Sequence, residues 1–119
     1  MYSFIETGTF ARLVLQYLTD DEYLALQRVL IADPQSGVVI PGSGGVRKLR
    51  WAAAGRGKRG GYRVIYFVRR ASGVIWMLTM YPKSVTENIP AHVLRQIREE
   101  VEDVEEEAKR RPRDSRRPS

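Results

Sequence analysis

Residues 62–81 read YRVIYFVRRASGVIWMLTMY. Two apolar arms rich in β-branched and aromatic residues flank Arg70-Ala71-Ser72-Gly73, and this pattern predicts an antiparallel hairpin. In the first arm Tyr62, Val64, Tyr66 and Val68 alternate with Arg63, Ile65, Phe67 and Arg69, a period of two that belongs to a strand. The second arm, Val74 to Tyr81, is nearly continuous apolar sequence, as expected of a strand in the middle of a sheet.

Outward from this hairpin the chain supplies the rest of an α+β domain. Val46 to Ala52 is a further strand, with Val46, Lys48, Arg50 and Ala52 on one face and Arg47, Leu49 and Trp51 on the other. Val38 to Ile40 is a small extended piece that ends at the Pro41-Gly42-Ser43-Gly44-Gly45 loop. At the start, Tyr2 to Glu6 suits a short strand, and Phe10, Leu13, Val14, Tyr17 and Leu18 have the spacing of an amphipathic helix. Thr19-Asp20-Asp21-Glu22 fits a capping box opening a second helix, with Tyr23, Leu26, Leu30 and Ile31 on its buried side. Pro34 closes that helix by disfavouring helical geometry at Asp33. A final helix is capped by Asn88, has Pro90 near its first turn, and buries a stripe of Val93 or Leu94, Ile97, Val101 and Val104. The expected architecture is a small, mainly antiparallel mixed sheet packed against two N-terminal helices and a C-terminal helix. It occupies residues 1–107, and residues 108–119 form a basic tail with too little apolar surface to fold.

Composition narrows the function. The 119 residues suit one domain with a single core. With no cysteine and one histidine, His92, the chain has no means of building disulfides, thiolate zinc sites or a multi-histidine metal cluster. No metal or cofactor is expected. No apolar run approaches the roughly 18 residues of a membrane span, and Met1 to Phe10 lacks the basic start of a signal peptide, so a cytoplasmic protein without membrane partners is expected.

Charge is strongly partitioned. Residues 34–86 hold ten basic and no acidic residues, although the whole chain is only +6. Residues 1–33 carry −3, residues 87–107 carry −6, and the last twelve residues carry +5. A concentrated cationic stretch on a strand-forming scaffold suits a polyanion, of which the phosphate backbone is the commonest. Lys48 and Arg50 share a strand face, and Arg63 lies on a neighbouring strand with Ile65 and Phe67. Basic residues that interrupt apolar faces are unusual unless they are paired or functional. Two readings stay open: a phosphate-binding site, or a sheet neutralised by the acidic C-terminal helix. Gly55-Arg56-Gly57-Lys58-Arg59-Gly60 matches the G-x-G-x-x-G string, but a strand follows where the dinucleotide fingerprint needs a helix. That leaves a basic loop that approaches a partner closely, or a hairpin tip kept soluble by charge. The crowded glutamates of the last helix read as a solvated face, and His92 has no evident catalytic partner.

Gly44-Gly45-Val46-Arg47-Lys48-Leu49-Arg50-Trp51, the Gly/Lys-rich loop, Gly61-Tyr62-Arg63-Val64-Ile65-Tyr66-Phe67 and Tyr81-Pro82-Lys83 together resemble the RelE/HigB group of bacterial type II toxins, especially its HigB-like branch. The resemblance runs from about Phe4 to Glu107. It implies a small endoribonuclease that cuts mRNA in the ribosomal A site and is silenced by a cognate antitoxin, usually of helix-turn-helix type. The implied chemistry is attack of the ribose 2′-oxygen on the adjacent phosphorus, which leaves a cyclic phosphate and a 5′-hydroxyl. By position, Lys48 and Arg50 would orient the phosphate and help the 2′-oxygen lose its proton. Arg63 would stabilise the phosphorane, Lys83 would protonate the leaving oxygen, and Tyr81 would stack on a base. Arg47, Arg56, Lys58 and Arg59 would hold RNA. Some members carry a tyrosine early in the terminal helix, where this chain has Glu87-Asn88-Ile89-Pro90. The alternatives are a non-enzymatic basic module for RNA or DNA, and a ParE-like toxin directed at gyrase.

Overall fold

The computed structural model describes residues 2–52, 61–84 and 89–110. Among the described residues, eight elements follow one another: β1 (Ser3–Glu6), α1 (Gly8–Tyr17), α2 (Asp20–Ala32), β2 (Val38–Val39), β3 (Arg47–Trp51), β4 (Tyr62–Arg69), β5 (Val74–Pro82) and α3 (Ala91–Arg110). The five strands form one sheet in the order β1-β5-β4-β3-β2. β1 runs parallel to β5 and the other pairings are antiparallel, so the sheet is mixed and the fold is α+β, as the sequence predicts.

Local chemistry fixes the helices. Thr7 caps α1 by accepting from the Phe10 amide at 3.0 Å while its hydroxyl donates to the Leu78 carbonyl at 2.7 Å, which ties the start of the helix to β5. The capping box of α2 is complete: the Glu22 amide donates to Thr19 Oγ1 at 3.1 Å, and the Thr19 amide donates to Glu22 Oε1 at 2.8 Å. The helix stops at Asp33, next to Pro34.

Each face of the sheet carries its own core. Phe10, Val14 and Leu18 near α1 and Leu26 and Leu30 of α2 pack on Tyr62, Val64, Tyr66, Ile75, Met77 and Met80. On the opposite face, Leu94 and Val101 of α3 pack with Val46, Ile65, Phe67, Trp76, Leu78 and Tyr81. The helix is fixed further by polar contacts: Trp76 Nε1 donates to Glu105 at 2.8 Å, and Arg69 pairs with Glu105 at 2.9 Å and Glu102 at 3.4 Å. Arg98 pairs with Glu102 at 2.6 Å, and its guanidinium carbon lies 5.5 Å from the centre of the Phe67 ring.

Some expectations need correction. Ile31 is 42% exposed and Val104 59% exposed, so the buried stripes of α2 and α3 are narrower than their apolar spacing suggests. The third helix runs to Arg110, three residues beyond Glu107. The expected Asn88 cap and residues 111–119 of the tail lie outside the described residues.

Candidate nucleic-acid-cleaving site

Strand register brings three of the singled-out residues into one row. Arg50 of β3 is the cross-strand partner of Arg63 of β4, and Arg63 is in turn the partner of Tyr81 of β5. Directly paired residues on neighbouring strands share a face, with Cβ atoms about 4.5–5.5 Å apart. Lys48 precedes Arg50 by two residues, so it stands on that same face, in the adjoining row with Ile65 and Thr79. Lys83 follows immediately after β5, and its amide donates to the Gly61 carbonyl at 3.1 Å, one step beyond the row.

Gly61 makes this junction possible. It adopts φ +53°, and a Cβ there would collide with the Trp51 carbonyl oxygen. A side chain would therefore force β3 and β4 apart beside the row.

An irregularity in β5 sets the direction of Tyr81. Ile65 pairs with Thr79 but Tyr66 pairs with Met77, leaving Leu78 as an extra residue on β5. Before this bulge, Val74 and Trp76 face α3 while Ile75 and Met77 face the other core. Strict alternation would turn Tyr81 with Ile75 and Met77; the bulge resets the phase and turns it toward Arg63.

Burial is graded across the site. Arg63 is 6% exposed and Tyr81 7% exposed, whereas Lys48 is half-buried and Arg50 and Lys83 are exposed. Arg63 is the only buried charged side chain among the described residues, and its Nη1 donates to the Tyr62 carbonyl at 3.4 Å. Burial pushes the Tyr81 phenol above its ordinary value, and the positive charge of Arg63 pulls partly back. At neutral pH Tyr81 therefore keeps its proton and can donate a hydrogen bond.

Of the remaining candidates, Arg47 lies on the other face of β3. The Arg47 guanidinium donates to the carbonyls of Gly37 at 2.7 Å and Gln35 at 3.3 Å, and so braces the segment between α2 and β2. Arg56, Lys58 and Arg59 lie outside the described residues. Neutralisation by the acidic helix applies to Arg69: among the described residues, the α3 glutamates pair with Arg69 and with Arg98 of α3 itself. Among those residues there is also no group of His, Asp and Glu side chains able to hold a metal ion, and no helix long and apolar enough to cross a membrane. The sequence singles out neither Val38, the direct partner of Lys48, nor Thr79, which shares its row beyond Ile65. Only the register places them there.

Fold and row together describe a small α+β protein that carries Lys48, Arg50 and Arg63 on one face of its sheet. A family model described as the RelE toxin of the RelE/RelB toxin–antitoxin system matches residues 9–111, and the chain belongs to that family. Among solved structures it is similar to a double arginine-to-alanine mutant of E. coli toxin RelE in the free state. That likeness has 15% identity and a TM-score of 0.55, covering 82% of this chain and 96% of the other, and is one of fold. An archaeal RelE–RelB complex from Pyrococcus horikoshii OT3 is also similar, with 23% identity and a TM-score of 0.47, covering 71% of this chain and 98% of the other.

Proposed function

We propose that this toxin is a ribosome-dependent endoribonuclease that cleaves mRNA in the ribosomal A site through attack of the 2′-hydroxyl. The observation that carries the proposal is the Arg50–Arg63–Tyr81 row with Lys48 beside it. In the reaction the 2′-oxygen forms a bond to phosphorus and the bond to the 5′-oxygen breaks. The products are a 2′,3′-cyclic phosphate and a 5′-hydroxyl. Negative charge accumulates on the phosphoryl oxygens as the phosphorane forms, and a fixed, desolvated guanidinium such as Arg63 stabilises it at little reorganisation cost. Lys48 and Arg50 orient the phosphate and stabilise the 2′-oxygen as its proton passes to solvent water. Lys83 supplies the proton to the leaving oxygen. Tyr81 acts as a neutral hydrogen-bond donor, because its raised phenol does not serve as a base at neutral pH and its ring is packed in the core, away from a stacking base.

The basic surface around the site would hold ribosomal RNA, and a cognate antitoxin would silence the toxin in the cytoplasm. A purely binding module would not need Arg63, Tyr81 and Lys83 grouped at one end of β4 and β5, so their grouping favours the enzyme.

Cleavage of a defined mRNA on programmed ribosomes tests the proposal. Arg63→Ala and Lys48→Ala should each fold normally by circular dichroism, and Arg63→Ala should slow single-turnover cleavage about 10²-fold or more. Folded variants that cleave and arrest growth like wild type would remove the catalytic assignment.

A further inference from the structure

A groove of about 460 Å³ lies at the sheet edge next to the cationic row, lined by Ser36, Val38, Lys48, Leu49 and Arg50. Val38 of β2 is the cross-strand partner of Lys48, so the two side chains stand side by side on the face that carries Arg50. Val38 is 72% exposed and Val39 42% exposed. Val38 and Val39 point to opposite faces of this two-residue edge strand, so Val38 alone offers an exposed apolar side chain on the face of Lys48 and Arg50, with room for a partner to cover it.

Charge and size indicate what covers it. Two of the five lining residues are cations, which suits a phosphate-bearing ligand. Small-ligand sites span about 300–1,000 Å³, so the groove has room for roughly one nucleoside. Single-stranded nucleic acid is commonly held with cations on its phosphates and its bases stacked on aromatic side chains or guanidinium planes, and a splayed-out base also rests against apolar side chains. Because Arg50 belongs to both the row and the groove and Lys48 lines the groove beside it, a phosphate seated on them leaves its attached nucleoside within reach of Val38.

We propose that this edge groove is a nucleotide subsite: Val38 is the apolar shelf for the base next to the scissile phosphate, and Lys48 and Arg50 hold that phosphate. The inference rests on the nuclease reading, and it adds a specificity-determining residue outside the catalytic row.

The test uses short single-stranded RNAs with 2′-O-methyl groups throughout, which cannot be cleaved, each lacking the base at one position. Affinity is read by fluorescence anisotropy for wild type and Val38→Ser. The expected result is about fivefold weaker binding of the intact RNA by Val38→Ser, the factor for about 1 kcal/mol of lost apolar contact. At one position, removing the base should abolish the difference between the two proteins. Equal affinity of wild type and variant for every RNA overturns the subsite, as does a weakening that persists whichever base is missing. Unchanged RNA binding together with lost antitoxin binding also overturns it, and would make this edge a protein-docking strand. If wild type fails to cut mRNA on ribosomes while the base-specific coupling persists, the nuclease reading fails and the nucleotide subsite stands.

Discussion

Arg50 and Arg63 face each other across two strands, and that placement has a cost. Like charges directly opposite one another destabilise a sheet, whereas favourable cross-strand pairs stabilise it by about 0.2–1 kcal/mol. A phosphate bound between them offsets that repulsion, because both guanidiniums then share an anion. Function and stability should therefore diverge at this pair. Arg50→Thr keeps strand propensity and removes the repulsion, so it should raise stability to urea by about 0.2–1 kcal/mol while lowering the cleavage rate. An unfolding midpoint below that of wild type would show that Arg50 is held by stabilising contacts. Lys48 and Arg50 were legible as a same-face pair because a strand alternates with period two. Arg47 was not legible as a brace, because its carbonyl partners at Gln35 and Gly37 lie on a turn whose path no local pattern specifies.

Among elements, those set by local chemistry were readable and those set by register were not. The capping box of α2 follows from Thr19 and Glu22 alone, and both of its hydrogen bonds form. Thr19→Ala should lower stability by about 1 kcal/mol in chemical denaturation and leave cleavage unchanged, since the cap lies on the α2 side of the sheet. The hairpin of β4 and β5 was equally plain, yet the bulge at Leu78 was hidden inside an apolar run where either face looks acceptable. That one residue decides whether Tyr81 joins Arg63 or the opposite core. The turn before β2 is likewise fixed from a distance: the buried Tyr66 hydroxyl donates to the Pro34 carbonyl at 2.8 Å and accepts from the Gly37 amide at 2.8 Å. Tyr66→Phe removes both bonds and leaves buried polar groups without them, a loss of about 1–3 kcal/mol. It should also loosen β2 and accelerate amide exchange there. Protection at Gly37 equal to wild type would mean that the turn holds without Tyr66.

At the scale of the molecule, buried phenols set an upper limit on the pH range of the fold. Tyr23 donates to Glu6 at 2.5 Å, joining α2 to β1. Burial, together with the adjacent carboxylate, pushes its phenol far above the ordinary value of 10.0. Burial also raises Tyr66 and Tyr81, against partial opposition from the Gly37 amide and from Arg63 respectively. In each case the native state holds its proton to higher pH than the unfolded chain does. Above about pH 10 the unfolded state therefore binds fewer protons, and stability falls as pH rises. The contribution of these groups is fully present below pH 10 and is lost as pH climbs toward their folded values. Tyr23 has the largest upward displacement and should account for much of the slope. Urea unfolding measured from pH 8 to 11.5 should show a nearly flat region and then a decline beginning near pH 10. In Tyr23→Phe, stability at pH 8 should be lower by about 1 kcal/mol for the lost hydrogen bond, and the alkaline decline should be shallower. Parallel curves for the two proteins across the whole range would mean that Tyr23 ionises alike in the folded and unfolded chains. The tie between β1 and α2 would then be absent in solution.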